Sequence, residues 1–222
     1  VIPLRDTPKT RRFPVVNTIL IILNVYVFVR QLSLTNNQLS AMVLQYSLIP
    51  IRLTHSLAAG NLPAALVPLL TYQFMHGSWL HIGSNMLYLW VFGDNIEDRV
   101  GHFRYLIFYL LMGLLAGLLQ AFLDAGSPIP IIGASGAVAG VLGAYLVSCP
   151  QARVLAIIPL FLVFTIAEIP AVLFLGFWFI LQLFSGFTSI GVDVSIAWWA
   201  HIGGFVAGMA LISFFGKRRE CK

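Results

Sequence analysis

Ser135 in Gly133-Ala134-Ser135-Gly136 and His201 in Ala200-His201-Ile202-Gly203-Gly204 stand about 65 residues apart, each near the start of an apolar, glycine-rich stretch. A serine hydroxyl is a poor nucleophile at neutral pH and needs a base within hydrogen-bond reach. An imidazole, with an unperturbed pKa near 6.5, can be that base. His81 and Asn85 are four apart in a third apolar stretch, so they share a helix face and could point into one cavity. Acyl transfer also needs donors for a developing oxyanion. Unpaired backbone N–H groups where the Ser135 helix begins, at Gly133, Ala134 and Ser135, could supply them.

The elements that must position these groups lie in a membrane. Of 222 residues 59% are hydrophobic and 9% charged, against roughly 25% charged in a soluble domain. Several apolar runs exceed the roughly 18 residues of a spanning candidate. The composition predicts an all-α polytopic membrane protein forming a single domain over residues 1–222. The polar, proline-containing start lacks an apolar core with a cleavage site, so no removable signal peptide is expected. The basic residues flank spans without aromatic interleaving, which argues against nucleic acid as a partner. Cys149 and Cys221 are expected to face a reducing compartment, and neither a disulfide framework nor a zinc site is expected.

Spans are predicted at about 14–34, 79–92, 105–123, 133–148, 170–187 and 196–215. Between the first two, Asn36-Asn37, Pro50, Gly60-Asn61, Pro63 and Pro68 break residues 35–70 into short amphipathic pieces, read as an interfacial loop. Residues 93–102 read as a polar connector. The tract from Val154 to Phe187 is ambiguous: two spans make seven in all, whereas a surface segment followed by one span makes six. With six, Arg5, Lys9, Arg11, Arg12, Arg99, Arg104, Arg153, Lys217, Arg218, Arg219 and Lys222 share the inner side, and only Arg30 and Arg52 lie outside. The positive-inside rule selects six, with both termini cytoplasmic.

That topology brings His81, Ser135 and His201 to similar depth, near the outer beginnings of the second, fourth and sixth spans. Sixteen helical residues in the fourth span cover about 24 Å, less than the roughly 30 Å hydrocarbon core, so Ser135 is expected below the outer surface. The segment before it must descend as non-helical backbone, which is tolerated where it lines a watery cavity. Gly133, Gly136, Gly140 and Gly143 in the fourth span and Gly204 and Gly208 in the sixth would let two helix backbones approach closely. No acid stands where a third triad member is expected; Asp193, eight residues before His201, falls in a loop. The expectation is a Ser–His dyad. Phe177, Trp178, Phe179 and Phe184 in the fifth span could shield it from lipid.

Taken in order, His76…His81…Asn85, Gly133-Ala134-Ser135-Gly136 and Ala200-His201 with Gly204 and Gly208 resemble the rhomboid intramembrane serine proteases. Glu97-x-Arg99 with Gly101 resembles that family's inner-loop motif, and residues 35–70 its membrane-lying first loop. The resemblance covers nearly the whole chain. It implies a six-helix rhomboid-like bundle with Ser135 as nucleophile, His201 as base, and His81, Asn85 and the Ser135 amide at the oxyanion. His76 would support the loop and cavity, and Glu97 and Arg99 would brace the inner loop. It further implies transmembrane protein substrates cleaved in or near their spans, a lipid environment in a bacterial cytoplasmic membrane, and a site opening to the outer side, with no cofactor or metal. The blander readings are an interhelical contact for Asn85, a satisfied polar contact for His81 and a solvated charge cluster for Glu97 and Arg99. Some family members carry an aromatic residue four after the serine, packed on the histidine ring; Ala139 stands there, so another residue must orient His201. The rival classes are a rhomboid-like client binder without catalysis and a transporter, for which inverted repeats are missing. His-Glu-x-x-His and a pair of intramembrane aspartates are also missing.

Overall fold

The computed structural model describes residues 1–160, 163–189 and 196–216. Asp193, Cys221 and the basic tail residues Lys217, Arg218, Arg219 and Lys222 lie outside the described residues. The described chain forms α1 (Val15–Leu32), α2 (Asn36–Tyr46), α3 (Pro50–Ala58), α4 (Leu62–Thr71), α5 (Trp79–Val100), α6 (His102–Leu123), α7 (Ser135–Ser148), α8 (Ala171–Thr188) and α9 (Trp198–Phe215), with strands β1 (Ile2–Asp6), β2 (Arg153–Leu160) and β3 (Val163–Pro170). Helices α1, α6, α8 and α9 are each long and apolar enough to cross a membrane. Large apolar side chains point outward from them, among them Ile22, Val29, Phe122, Leu173, Ile180 and Phe214. A polytopic, predominantly helical integral membrane protein accounts for both features.

Helix α7 is the hub. It packs against α5, α6, α8 and α9, and every residue from Gly136 to Tyr145 is buried. Its 14 residues cover about 21 Å, short of a roughly 30 Å hydrocarbon core. The segment before it is held by the first loop. Leu48 and Ile131 exchange backbone hydrogen bonds of 3.1 and 2.8 Å, and the Gly133 N–H donates to Tyr72 O at 2.9 Å. The loop itself is three short helices: Thr35 forms a capping box with Gln38, Pro50 opens α3, and the Asn61 side chain caps α4.

Two sequence expectations, the connector and the free thiols, need correction. The expected connector at 93–102 is helical to Val100, because the chain first breaks at Gly101, whose φ is +86°. Gly93 serves close approach instead, since a Cβ there would lie 2.2 Å from Asn17 Oδ1 on α1. The described part of the ambiguous tract before α8 is a hairpin. It joins β1 in a three-stranded antiparallel sheet of order β1-β2-β3, with Ile2 opposite Ile157 and Asp6 opposite Val154. The register slips between Pro3 and Arg5, beside the residue that has no N–H to give. Finally, Cys149 is disulfide-bonded. The expectation of free thiols rests on compartment alone.

The sheet sits where α5 and α7 end, opposite the end at which both begin. Asp6 fastens it there, its Oδ2 accepting from Tyr145 Oη at 2.6 Å and from Asn95 Nδ2 at 2.9 Å. Burial raises the Asp6 carboxyl from 3.8 to about 6, against the opposing effect of the Tyr145 hydrogen bond. A carboxyl raised on folding binds more protons in the native state, so its contribution is full below about pH 4 and is lost as pH rises to about 6. Asp6→Asn keeps an acceptor without the charge. Thermal unfolding in detergent is expected to lack this pH 4–6 decline, leaving the variant roughly 2–4 °C more stable at pH 7.5. Parallel wild-type and variant curves across that window would refute the assignment.

Candidate active site

Ser135 opens α7 and His201 lies in the first turn of α9. Their side chains meet, with Ser135 Oγ 2.8 Å from His201 Nε2. Glycines make this contact possible. A Cβ on Gly204 would lie 2.1 Å from Gly136 O, one on Gly208 1.9 Å from Gly140 O, and one on Gly143 2.0 Å from Phe205 O. The two helices therefore touch backbone to backbone. On its other side α7 meets α6, where Gly136 and Gly140 leave room for Ala116 and Met112. Gln120 of α6 accepts from the Ala200 N–H at 3.2 Å, holding the start of α9 beside His201.

The His201 ring is seated by α8. Gln182 Oε1 is 2.8 Å from His201 Nδ1, the Trp178 ring packs beside the imidazole, tilted by 32° at 6.3 Å, and Trp198 meets it edge-on at 5.9 Å. Trp178 thus occupies the role open at Ala139, which is fully buried 3.4 Å from where a Gly204 Cβ would be. Sequence reasoning missed Gln182. The available signal is a lone amide in a span of mostly apolar and aromatic residues, which by itself is grounds for a functional hypothesis. Of the aromatics expected to shield the dyad, Trp178 and Phe179 turn inward, with Phe179 stacked on Phe205 at 4.5 Å. Phe177 and Phe184 point outward.

His76, Asn85 and His81 form a second group facing Ser135. Asn85 Nδ2 is 3.1 Å from His76 Nε2, and the His76 backbone is bridged by Gln31, whose Oε1 accepts from its N–H at 3.1 Å and whose Nε2 donates to its carbonyl at 3.2 Å. The His76 and His81 rings pack edge to face at 5.0 Å. Gly133 accommodates His81: its φ is +130°, and a Cβ would lie 2.6 Å from His81 Nε2. The expected oxyanion donors divide accordingly. The Gly133 N–H is taken by Tyr72 O, and that of Ala134 lies 3.5 Å from His76 Nε2. The first N–H to bond back along α7 is that of Val138, so the amides of Ser135, Gly136 and Ala137 precede the ladder. Ser135, His201, His81, Asn85 and Gln182 all line one open cavity of about 650 Å³.

Glu97 and Arg99 lie near the far end of α5, away from Ser135 and His201. Glu97 is 1% exposed and caps α1, which begins after Pro14 with no side-chain cap of its own. Its carboxylate accepts from the Val16 N–H at 2.9 Å and the Asn17 N–H at 2.7 Å, and contacts His102 Nδ1. An anion belongs at the positive end of a helix. Arg99 stands in the last turn of α5, where a cation is favoured. Glu97→Ala would leave buried N–H groups without their acceptor, costing about 3 kcal/mol or more, a fall of roughly 10 °C in thermal unfolding. A drop under about 2 °C would show that α1 is capped some other way.

A family model for the Rhomboid domain matches residues 63–218. The chain is 33% identical over 145 residues to "RHOMBOID-like protein 5" of Arabidopsis thaliana, covering 64% of this chain and 42% of that protein. It is 34% identical over 154 residues to "Rhomboid protease GluP" of Bacillus subtilis (strain 168), covering 68% of this chain and 28% of that protein. Over 97 residues it is 32% identical to the human "Presenilin-associated rhomboid-like protein, mitochondrial", covering 42% of this chain and 26% of that protein. In these matches the chain spans less than half the length of each relative. The glycine-packed bundle and the family model that covers most of it agree: this chain belongs to the rhomboid family.

Proposed function

We propose that this protein is an intramembrane serine endopeptidase that cleaves single-pass membrane proteins within or near their transmembrane segment. The observation that carries this reading is the 2.8 Å contact between Ser135 Oγ and His201 Nε2 inside an open cavity. As a scissile carbonyl enters, Ser135 Oγ attacks its carbon while the hydroxyl proton passes to His201 Nε2. The oxyanion is received by the Ser135 N–H, with Asn85 and His81 beside it. The protonated His201 then gives its proton to the leaving amine, and water, activated by the same ring, hydrolyses the acyl-enzyme. The Bacillus subtilis relative is named a rhomboid protease, which supports the same chemistry.

The proposal extends to topology. Helices α1, α5, α6, α7, α8 and α9 are the six spans, both termini are cytoplasmic, and the dyad opens to the outer side, as in a bacterial cytoplasmic membrane. A substrate span would approach from the lipid between α5 and α8, where a groove of about 230 Å³ is lined by Tyr88, Leu173, Phe174, Phe177, Trp178 and Leu181. The test is incubation of the purified protein in detergent with a single-pass reporter, beside a fluorophosphonate probe. Cleavage and labelling that both depend on Ser135 support the reading. Cleavage that survives Ser135→Ala overturns it.

A further inference from the structure

We propose that Gln182 is a positioning residue for the dyad, fixing the tautomer of His201 from a different helix. The inference rests on the protease reading and deepens it. Two hydrogen bonds settle which way the amide points. Gln182 Nε2 is 3.4 Å from Trp178 O, a carbonyl that can only accept, so the –NH2 group belongs there. Oε1 then faces His201 Nδ1 at 2.8 Å, and a carbonyl oxygen can only accept, so Nδ1 carries the proton. In the neutral ring Nε2 is left with its lone pair, aimed at Ser135 Oγ 2.8 Å away. The reversed amide would set two carbonyl oxygens against each other and place the imidazole proton on Nε2. The ring would then donate to Ser135 instead of accepting from it, and there would be no base.

The site supports the assignment. Gln182 is 8% exposed, and the Trp178 that anchors its amide also packs beside the imidazole. One turn of α8 therefore orients the His201 ring by a hydrogen bond at its edge and a tilted indole next to it. Gln182 performs the orienting task of a third triad member without carrying charge. It also makes the basicity of His201 depend on where α8 sits relative to α9.

The experiment measures kcat and KM for a single-pass reporter in detergent, with wild type, Ser135→Ala, Gln182→Leu, Gln182→Met and Gln182→Glu, and thermal unfolding of each. Leu and Met remove the acceptor, and Met keeps the length if Leu fails to fold. Glu is isosteric and presents an oxygen to Nδ1 whether ionised or protonated. Losing one buried hydrogen bond that is needed in the transition state predicts a fall in kcat of about 10- to 100-fold with KM changed less than about 2-fold. Gln182→Glu is expected to stay within about 5-fold of wild type, less than the loss of a full hydrogen bond. Folded Leu or Met variants with wild-type kcat would overturn the proposal. So would an equal loss in the folded Glu variant, which would mean that Gln182 only packs. Either result with Ser135→Ala inactive leaves the protease reading standing. An active Ser135→Ala brings down that reading first.

Discussion

Ser135→Ala, His201→Ala and the double variant are expected to fall to the same floor, about 10⁴-fold or more below wild type in reporter cleavage. On the proposed mechanism nucleophile and base act on one proton, so losing either removes the whole step and the effects do not add. The single variants differ in what else they disturb. Ser135→Ala deletes one hydroxyl and should leave thermal unfolding unchanged. His201→Ala takes the ring from between Trp178 and Trp198 and leaves Gln182 Oε1 without its partner, a penalty of about 1–3 kcal/mol. Comparing activity with unfolding separates chemistry from folding. Additive losses, or more than about a tenth of wild-type cleavage in Ser135→Ala, would show that the 2.8 Å contact is not the catalytic one.

What was legible in the sequence was whatever left a local trace. Apolar runs bounded by breakers marked the helices, and small residues four apart on the fourth and sixth spans marked the face along which α7 and α9 meet. Glycine type alone did not reveal the division of labour. Gly93 reads as the start of a connector because a glycine usually breaks a helix, yet here it admits Asn17. The β2–β3 hairpin was hidden because an apolar run reads equally as strand or span until its partner, β1, is known. Glu97 reads as a brace for its own loop, whereas its partners are backbone amides some 80 residues away. Gln182 gives no local sign for the same reason: its meaning lies in what it faces, and nothing within α8 names His201.

Gly208→Ala is expected to force α9 away from α7, lowering stability by about 1–3 kcal/mol or more and cleavage by about 100-fold. The added Cβ would stand 1.9 Å from Gly140 O, well inside contact distance, and the obstacle is helix backbone, so no side chain can swing aside. The helices must part by more than about an ångström, the scale at which misplaced catalytic groups lose roughly 10²-fold in rate. Gly208 lies about two turns from His201 along α9, so the loss would arise with both members of the dyad intact. Gly176→Ala is the control: on α8 nothing lies within 4 Å of its added Cβ, and replacing a helical glycine by alanine there should be neutral or stabilising by up to about 1 kcal/mol. Thermal unfolding and reporter cleavage of the two variants, read side by side, isolate the glycine contact. A Gly208→Ala protein as active as Gly176→Ala would mean that α7 and α9 do not need that contact to bring Ser135 and His201 together. If Gly208→Ala unfolds at the wild-type temperature yet cleaves slowly, the contact serves alignment more than cohesion.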